Sequence, residues 1–258
     1  TAPADLHALI LSDVLGDDIS SIASGTTVPD ITTFQDAINV LKSKNVWGKT
    51  HNTVRDFLLK GSRNQVPETP KPMDPVFDSA AYTLIGSNSV SVNAIVSAAN
   101  AMGYESKLYS DNLCGEARDE AENLVIYVKN LLNQGLENPT AFLAGGETTV
   151  TLKGDGCGGR NQEMAVAFAL AAEKHGLFDS WVFLSGGTDG RDGPTDAAGG
   201  IVDPNTLMRM KTAGLNPADM LNNNDSFNAL KQSQDLLDTG ATGTNVADLQ
   251  VLLVQPPN

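Results

Sequence analysis

The feature that most constrains the fold is the alternation of short apolar runs with segments of helical periodicity. Apolar runs of 4–8 residues are typical of strands, whereas apolar residues three and four positions apart are typical of an amphipathic helix. Their alternation predicts an α/β fold with a largely parallel sheet. The predicted strands are 7–12, 82–87, 106–110, 141–145, 148–153, 181–185 and 249–254, and the predicted helices lie near 33–44, 50–60, 88–102, 114–134, 159–175, 204–213 and 225–237.

Two polar connections between these elements bear on the domain organisation. Residues 61–75 are rich in proline and predict a long surface connection, whereas residues 133–140 end a long helix and precede a strand. The second is the better boundary, so we expect one domain over residues 1–136 and another over residues 137–258. Because the first strand is almost entirely apolar, it is typical of a buried strand with neighbours on both sides. We therefore expect the first domain to be incomplete at its N-terminus.

The charge of the chain excludes several classes of partner. The net charge is −14 over 258 residues, and such a field repels nucleic acid and anionic membranes. The longest apolar runs fall short of the ~20 residues of a membrane span, and the first residues do not resemble a signal peptide. The two cysteines, Cys114 and Cys157, lack metal-ligand spacing and suit a cytoplasmic location. The three scattered histidines argue against a zinc site or a Ser-His-Asp triad.

Aspartates follow two of the predicted strands. Asp13 comes just after the first, and Asp189 and Asp192 follow 181–185 in the glycine-rich stretch SGGTDGRDGPTDAAGG. In α/β sheets the ligand crevice lies at the carboxyl ends of strands, and carboxylates there can hold hydrated Mg²⁺ or accept a hydroxyl proton. The alternative is that they cap helices or line solvated turns. Asp189, nearest the strand end, is the better catalytic candidate, whereas Asp192 fits either role.

A glycine-rich segment precedes the predicted helix 159–175. Gly154, Gly156 and Gly159 match the dinucleotide-binding pattern G-x-G-x-x-G between a predicted strand and a helix. The pattern is weak by itself, and the next predicted strand lacks an acidic residue at its end to hold a ribose. More generally, free amides at a helix N-terminus bind an anion. This segment therefore predicts an anion site at the start of the helix.

Arg160 is the strongest single candidate for a functional residue. It lies in the first turn of the predicted helix, where the helix dipole disfavours a cation unless it faces a bound anion or a carboxylate. The alternative is a structural ion pair with Glu147 or Glu163.

A fourth loop, TGATGTNVAD, precedes the last predicted strand. Its small hydroxyl and amide side chains, among them Thr244 and Asn245, could bind phosphate or sugar oxygens. The alternative is a tight turn that leads into an edge strand.

Five stretches of the chain, in order, resemble the type 2 glycerate kinases, whose C-terminal domain is known as MOFRL. They are SDVLGDDISSIASGTTVPD, GEARDEAENL, GGETTVTLKGDGCGGRNQE, SGGTDGRDGPTDAAGGIVD and TGATGTNVADLQVLL. The resemblance extends from Ala8 to Val254.

The resemblance implies a Rossmann-like parallel-sheet domain followed by a smaller α/β MOFRL domain, with the active site in the cleft between them. It also implies transfer of the γ-phosphoryl group of ATP to D-glycerate, usually giving 2-phosphoglycerate, with Mg²⁺. The implied roles are catalysis for Arg160 and Asp189; metal binding for Asp13 and Asp189; substrate or phosphate binding for Gly145, Gly146, Glu147, Gly158, Gly159, Asn161, Thr188, Asp192, Thr244 and Asn245; and nucleotide binding for Ser24 and Gly25.

The chain departs from the family pattern in one major respect. The family has a further N-terminal stretch with a functional lysine that matches no residue here, and SGTT stands where Ser-Gly-Pro-Thr is commoner, with Thr26 for proline. We therefore expect a missing N-terminal segment of the same protein as a partner, and a homo-oligomer is compatible with the sequence. Two alternatives stay open: an NAD(P)-dependent hydroxypyruvate reductase, a name that some relatives carry, and a catalytically incomplete fragment.

Overall fold

The chain divides into two compact units in a computed structural model that describes residues 4–177 and 180–256. The smaller unit contains residues 1–10 and 18–85, and the larger unit contains residues 11–17 and 86–258. Strands and helices alternate along the chain, which confirms the α/β class. The predicted domain boundary after residue 136 falls inside the larger unit and stays a prediction.

The smaller unit contains most of a two-stranded sheet and two helices. The strands are β1 (Leu6–Leu11) and β2 (Ala80–Gly86), and the helices are α1 (Phe34–Ser43) and α2 (Asn52–Gly61). Helix α1 begins at a capping box, in which the Thr33 side chain accepts from the backbone N–H of Asp36 and the Asp36 carboxylate accepts from that of Thr33. The rings of Phe34 and Phe57 meet edge to face, with centroids 5.5 Å apart, and join the two helices.

The larger unit is built on a six-stranded sheet with the order β3-β4-β8-β5-β6-β7. The pair β3–β4 is parallel, and the pairs β4–β8, β8–β5, β5–β6 and β6–β7 are antiparallel. The sheet of this unit is therefore mixed and not largely parallel as expected, because β8 is antiparallel to β4 and β5, and β6 is antiparallel to β5 and β7. Its elements are α3 (Asn88–Ala101), β3 (Glu105–Leu113), α4 (Ala117–Asn133), β4 (Thr140–Gly146), α5 (Arg160–His175), β5 (Ser180–Gly187), β6 (Gly199–Val202), α6 (Thr206–Thr212), α7 (Pro217–Asn222), α8 (Ser226–Ser233), β7 (Leu236–Leu237) and β8 (Asp248–Gln255).

The hydrophobic core lies on both faces of this sheet. Successive residues of β4 point to opposite faces, so Phe142 joins the main core beneath α4 and α5, whereas Leu143 packs with Ala99 of α3 on the other side. Helix α5 is buried over most of its length. Phe168 of α5 stacks on Phe183 of β5 at 4.2 Å between ring centroids, which fixes the helix over the centre of the sheet.

Most predicted elements are confirmed, and one predicted strand is wrong. Residues 148–153 alternate threonines with apolar residues, as a half-buried strand would, yet they form an irregular loop with a single bridge between Thr149 and Glu116. The backbone N–H of Thr151 donates to Glu116 Oε1, and those of Lys153 and Gly154 donate to Asn224 Oδ1. Side chains that are distant in sequence therefore accept the hydrogen bonds that the backbone N–H groups of a strand would donate to a neighbouring strand. The short elements β6 and α7 were not predicted, and the helix predicted at 225–237 ends earlier, because α8 stops at Ser233 and β7 follows.

Within the part of the chain that the structure describes, none of the helices combines the length and apolar character needed to cross a bilayer.

Candidate functional site

Three segments of the larger unit meet at one edge of the sheet, where β4 and β5 end and β8 begins. Asp248, the first residue of β8, lies opposite Gly146 at the end of β4 and opposite Gly187 at the end of β5. Because β8 is antiparallel to both neighbours, its first residue lies where their carboxyl ends finish. The glycine-rich and aspartate-rich loops that follow β4 and β5, and the loop that precedes β8, therefore start from the same edge.

Arg160, the first residue of α5, lies at this edge between two carboxylates. Its Nε is 2.6 Å from Asp248 Oδ2 and its Nη2 is 3.0 Å from Asp248 Oδ1, a two-pronged pair with a fully buried partner. The same Nη2 is 3.1 Å from Glu147 Oε1. Burial lowers the pKa of the guanidinium, but the hydrogen bonds and charge of Asp248, together with Glu147, outweigh it and raise the pKa above its usual value. Arg160 is therefore a permanent cation, and the predicted alternative of an ion pair with Glu147 is observed.

The amides at the N-terminus of α5 bind a carboxylate of the protein itself. Asp192 Oδ2 accepts from the N–H of Gln162 at 2.8 Å, and its Oδ1 accepts from that of Asn161 at 3.2 Å. Asp192 is 3% exposed, so this loop residue caps a helix that begins 32 positions earlier. The prediction that the amides at the start of α5 are free for an external anion is therefore wrong for Asn161 and Gln162. The sequence around the helix gives no signal of this cap, because Asp192 is so distant along the chain.

Burial also makes Asp192 a titrating group at mildly acidic pH. It raises the pKa of the side chain from 3.8 to about 6, against the opposing effect of the two amides, and the charge of Asp248 adds to the rise. Since the folded pKa exceeds the unfolded value, the contribution of Asp192 to stability is fully present below pH 3.8 and is lost as the pH rises through about 6.

Replacing Asp192 with asparagine should remove this dependence. Relative to the wild type, Asp192→Asn should gain about 2–3 kcal/mol in the free energy of unfolding as the pH rises from about 4 to about 7, because only the wild type has to ionise a buried carboxyl group. Urea unfolding of both proteins across this range measures the difference. Two curves that run parallel from acid to neutral pH would contradict the assignment.

The first turn of α5 is tied to the sheet by buried side chains. Ser185 Oγ donates to Asn161 Oδ1 at 2.6 Å, and Gln250 Nε2 donates to Ser185 Oγ at 3.3 Å. Glu163, which is almost fully buried, accepts from Arg118 Nε at 2.5 Å instead of pairing with Arg160. The predicted substrate residue Asn161 thus has a clear structural role, and these contacts fix the start of the helix that carries Arg160.

The glycines of the dinucleotide pattern pack against protein groups. A Cβ at Gly154 or Gly156 would overlap Asn223, and one at Gly159 would overlap the carboxyl group of Asp192. The strand that the pattern requires before its first glycine is absent, since residues 148–153 form a loop. The structural context for a dinucleotide site therefore fails, and the glycines are explained by close packing inside the protein.

Alanine at Gly159 tests this explanation without any ligand. Gly159→Ala should lower the free energy of unfolding by about 1–3 kcal/mol, since the methyl group displaces Asp192 from the helix amides. Gly48→Ala is the control, because a Cβ there meets nothing within 4 Å. Thermal and urea unfolding compare the two variants. If Gly159→Ala kept full stability in the absence of ligand, the glycine would instead serve the approach of a ligand.

The loop after β5 and the loop before β8 are joined by hydrogen bonds. Thr188 Oγ1 donates to Ala247 O at 2.7 Å and accepts from the N–H of Val246 at 2.8 Å. The N–H of Thr242 donates to Asp189 O at 3.3 Å. The side chain of Asp189 is half-buried, and its Oδ1 accepts from the N–H of Arg191.

Some of the remaining predicted site residues lie near the sheet edge where β4 and β5 end, and others lie elsewhere in the structure. Gly145 and Gly146 close β4, Gly158 packs against Ser226, Thr244 lies in the loop before β8, and Asn245 Oδ1 accepts from the N–H of Ala247. Asp13 is exposed, beside Ser12 in the larger unit, and Ser12 N donates to Gly86 O. Ser24 and Gly25 lie in the smaller unit, in left-handed conformations. Among residues 4–177 and 180–256, the structure contains no group of three or more His, Cys, Asp or Glu that could hold a metal ion.

Two residues at this edge were missed by the sequence analysis. Asp248 pairs with Arg160, and Asn88, at the start of α3, donates from Nδ2 to the carbonyls of Val246 and Asp248 at 2.8 and 2.9 Å. Asp248 reads in the sequence as an ordinary polar residue before a strand. The one available signal was an acidic residue directly before the predicted strand 249–254.

Comparison with known proteins places the chain among glycerate kinases. The MOFRL family model matches residues 140–248, and a model described as a domain of unknown function (DUF4147) matches residues 1–59. D-glycerate 2-kinase from Thermotoga maritima is 41% identical over 98% of this chain and 57% of its own length. The glycerate kinase of Macaca fascicularis is 33% identical over 98% of this chain and 73% of its own length.

A solved structure supports the same assignment. The crystal structure of glycerate kinase from Thermotoga maritima superposes with a TM-score of 0.84 and 41% identity, covering 98% of this chain and 58% of that one. The chain thus spans little more than half the length of the Thermotoga relative. Identity above 30% over nearly the whole chain, including a relative of which it covers almost three quarters, shows that this chain belongs to the glycerate kinase family.

Proposed function

We propose that the chain carries the phosphoryl-transfer site of a glycerate kinase, which transfers the γ-phosphoryl group of ATP to D-glycerate. The observation that carries the proposal is the position of Arg160: a permanent cation at the edge where β4 and β5 end, held by Asp248. Phosphoryl transfer depends mainly on positioning and on stabilising charge at the transferred group. A guanidinium in a fixed orientation is suited to both tasks.

The other residues of the edge would complete the site. In this proposal Arg160 binds phosphoryl or carboxylate oxygens of the substrates, and Asp189 orients the hydroxyl group that is phosphorylated. Thr188, Thr244 and Asn245 lie on the two joined loops and would contact substrate oxygens. For Ser24 and Gly25, which lie in the smaller unit, nucleotide binding stays a prediction.

The described carboxylates do not form a protein cage for magnesium, since no three of them are arranged so that they could hold a metal ion. Mg²⁺ is commonly bound by one or two carboxylates together with substrate phosphates. In the proposal it therefore arrives with ATP, and Asp189 or Asp13 adds a single ligand. The cytoplasmic location, the homo-oligomer and the missing N-terminal segment stay predictions.

A coupled assay of ADP release tests the proposed function. The purified chain, its intact mass established first, is incubated with Mg-ATP with and without D-glycerate, and in parallel with NAD(P)H and hydroxypyruvate. We expect ADP release that depends on glycerate and no oxidation of NAD(P)H. Oxidation that depends on hydroxypyruvate, without ADP release, would favour the reductase. Absence of both would reduce the claim to part of a kinase site.

A further inference from the structure

The guanidinium of Arg160 contacts two carboxylates that differ sharply in burial. Asp248 is fully buried and makes two hydrogen bonds, to Nε and Nη2, whereas the Glu147 side chain is 43% exposed and makes one contact, to Nη2. Both carboxylates therefore meet at the same nitrogen. One is fixed inside the sheet, and the other reaches the cation from the solvent side.

The charges around Arg160 oppose the binding of a further anion in this arrangement. Glu147 and Asp248 touch the guanidinium, and the charge of Asp192 also acts on it. One cation is thus surrounded by up to three carboxylates, so the local charge is negative. An incoming oxyanion would be repelled and would find Nη2 already engaged. The described contacts of Arg160 use Nε and Nη2, so an oxyanion that binds Nη1 and Nη2 together has to displace Glu147 from Nη2.

The difference in burial predicts that Glu147, and not Asp248, is the carboxylate that leaves Arg160. Ion pairs between exposed groups contribute little to stability, whereas separating a fully buried carboxylate from its partner is strongly unfavourable. Asp248 is further held by its place between β4 and β5 and by the Asn88 side chain, which donates to its carbonyl. The backbone N–H of Glu147 donates to Leu113 O at 2.8 Å, and the described contact of its side chain is the one with Arg160. Its side chain can rotate into water without any movement of the main chain.

We propose that Glu147 is an internal stand-in for the substrate oxyanion: it occupies Arg160 in the free protein and is displaced when a phosphoryl or carboxylate group binds, while Asp248 keeps the guanidinium in place. The identity of the anion rests on the proposed function, but the displacement itself does not require turnover. The displacement of Glu147 would make anion binding at Arg160 selective. A small free anion has to compete with Glu147, whereas a substrate with further contacts in the site overcomes that competition.

Titration calorimetry of the wild type and Glu147→Gln tests the proposal, with inorganic phosphate and D-glycerate as separate probes. Removing the competing charge should tighten binding of the anion that Arg160 receives by about three- to fivefold, the size expected for loss of an exposed ion pair. The two probes distinguish a phosphoryl site from a carboxylate site. Because the Glu147 side chain is 43% exposed and lies at the end of β4 rather than in the core, the variant is expected to fold normally.

Glu137→Gln is the matched control for a general change of charge. It removes the same charge from an exposed side chain next to the start of β4, about 20 Å from the end where Glu147 lies. It should leave both affinities within about twofold. In an Arg160→Lys background the Glu147→Gln effect should shrink to about the same level, because the carboxylate acts through the guanidinium.

Unchanged or weaker binding of both anions in Glu147→Gln overturns the proposal, as does an equal gain in Glu137→Gln or persistence of the gain in the Arg160→Lys background. Absence of measurable binding by the wild type and Glu147→Gln alike overturns it too. These outcomes are separate from the ADP-release assay. A protein without kinase activity that still shows the Glu147→Gln gain would contradict only the proposed function.

Discussion

Replacing Arg160 with lysine is expected to lower kcat/KM for the proposed phosphorylation of glycerate by about 100-fold while the protein stays folded. Lysine keeps the positive charge but lacks the planar fork that meets two oxygens at once, and loss of one well-placed donor to transition-state charge costs a factor of this order. Steady-state kinetics with Mg-ATP and D-glycerate measure the change. Lysine still neutralises Asp248, so circular dichroism and the unfolding midpoint should stay close to those of the wild type.

Alanine at the same position is a less specific variant for a structural reason. Asp248 is fully buried, so Arg160→Ala would leave its carboxylate without a counter-charge. We expect a loss of roughly 3 kcal/mol in the free energy of unfolding, toward the lower end for a broken buried pair because the guanidinium is one-third exposed.

A lysine variant within about threefold of wild-type kcat/KM would reject the role of Arg160 in catalysis.

The second large effect is expected at the buried ion pair between α4 and α5. Arg118→Ala should lower the free energy of unfolding by about 3–5 kcal/mol, because it leaves Glu163 buried without its cation. Arg118 Nε is 2.5 Å from Glu163 Oε1, and Arg118 Nη2 donates to Leu221 O at 2.6 Å. The substitution therefore removes partners from a buried carboxylate and from a carbonyl of α7 as well.

The same two helices provide the control. Lys174 of α5 pairs with Glu122 of α4 at 2.6 Å, but its side chain is 65% exposed. Lys174→Ala should change the free energy of unfolding by less than about 1 kcal/mol. Urea unfolding of both variants at neutral pH makes the comparison. Similar losses in the two would show that burial does not set the strength of these pairs.

Local sequence signals predicted the elements that depend on local chemistry. Helices α1 and α3 begin and end close to the predicted positions, because caps and breakers such as Thr33 and Gly103 act within a few residues. The strand predicted at 148–153 failed for the opposite reason. Glu116 and Asn224 lie far away in sequence, and their side chains accept hydrogen bonds from the backbone N–H groups of this segment. The segment therefore forms a loop instead of pairing as a strand.

The same distinction between local signals and distant contacts applies to the candidate site. The place of Thr188 and Asp189 after β5, and of Arg160 in the first turn of a helix, could be predicted from local signals. What each side chain contacts could not, since Asp192 and Asp248 reach Arg160 or its helix from 32 and 88 positions away. A carboxylate that caps a distant helix and one that holds a distant arginine look alike in the sequence.

The position of β8 has a consequence for how the protein is made. During synthesis the N-terminal residues emerge first, so β4 and β5 are complete before the strand that joins them, and residues 188–247 separate β5 from β8. Until β8 inserts, both strands have an unpaired edge that can bind strands of other chains. Closing the sheet depends on contacts distant in sequence, which form slowly. Refolding yield should therefore fall with rising protein concentration, and Arg160 gains Asp248 only in the step that closes the sheet.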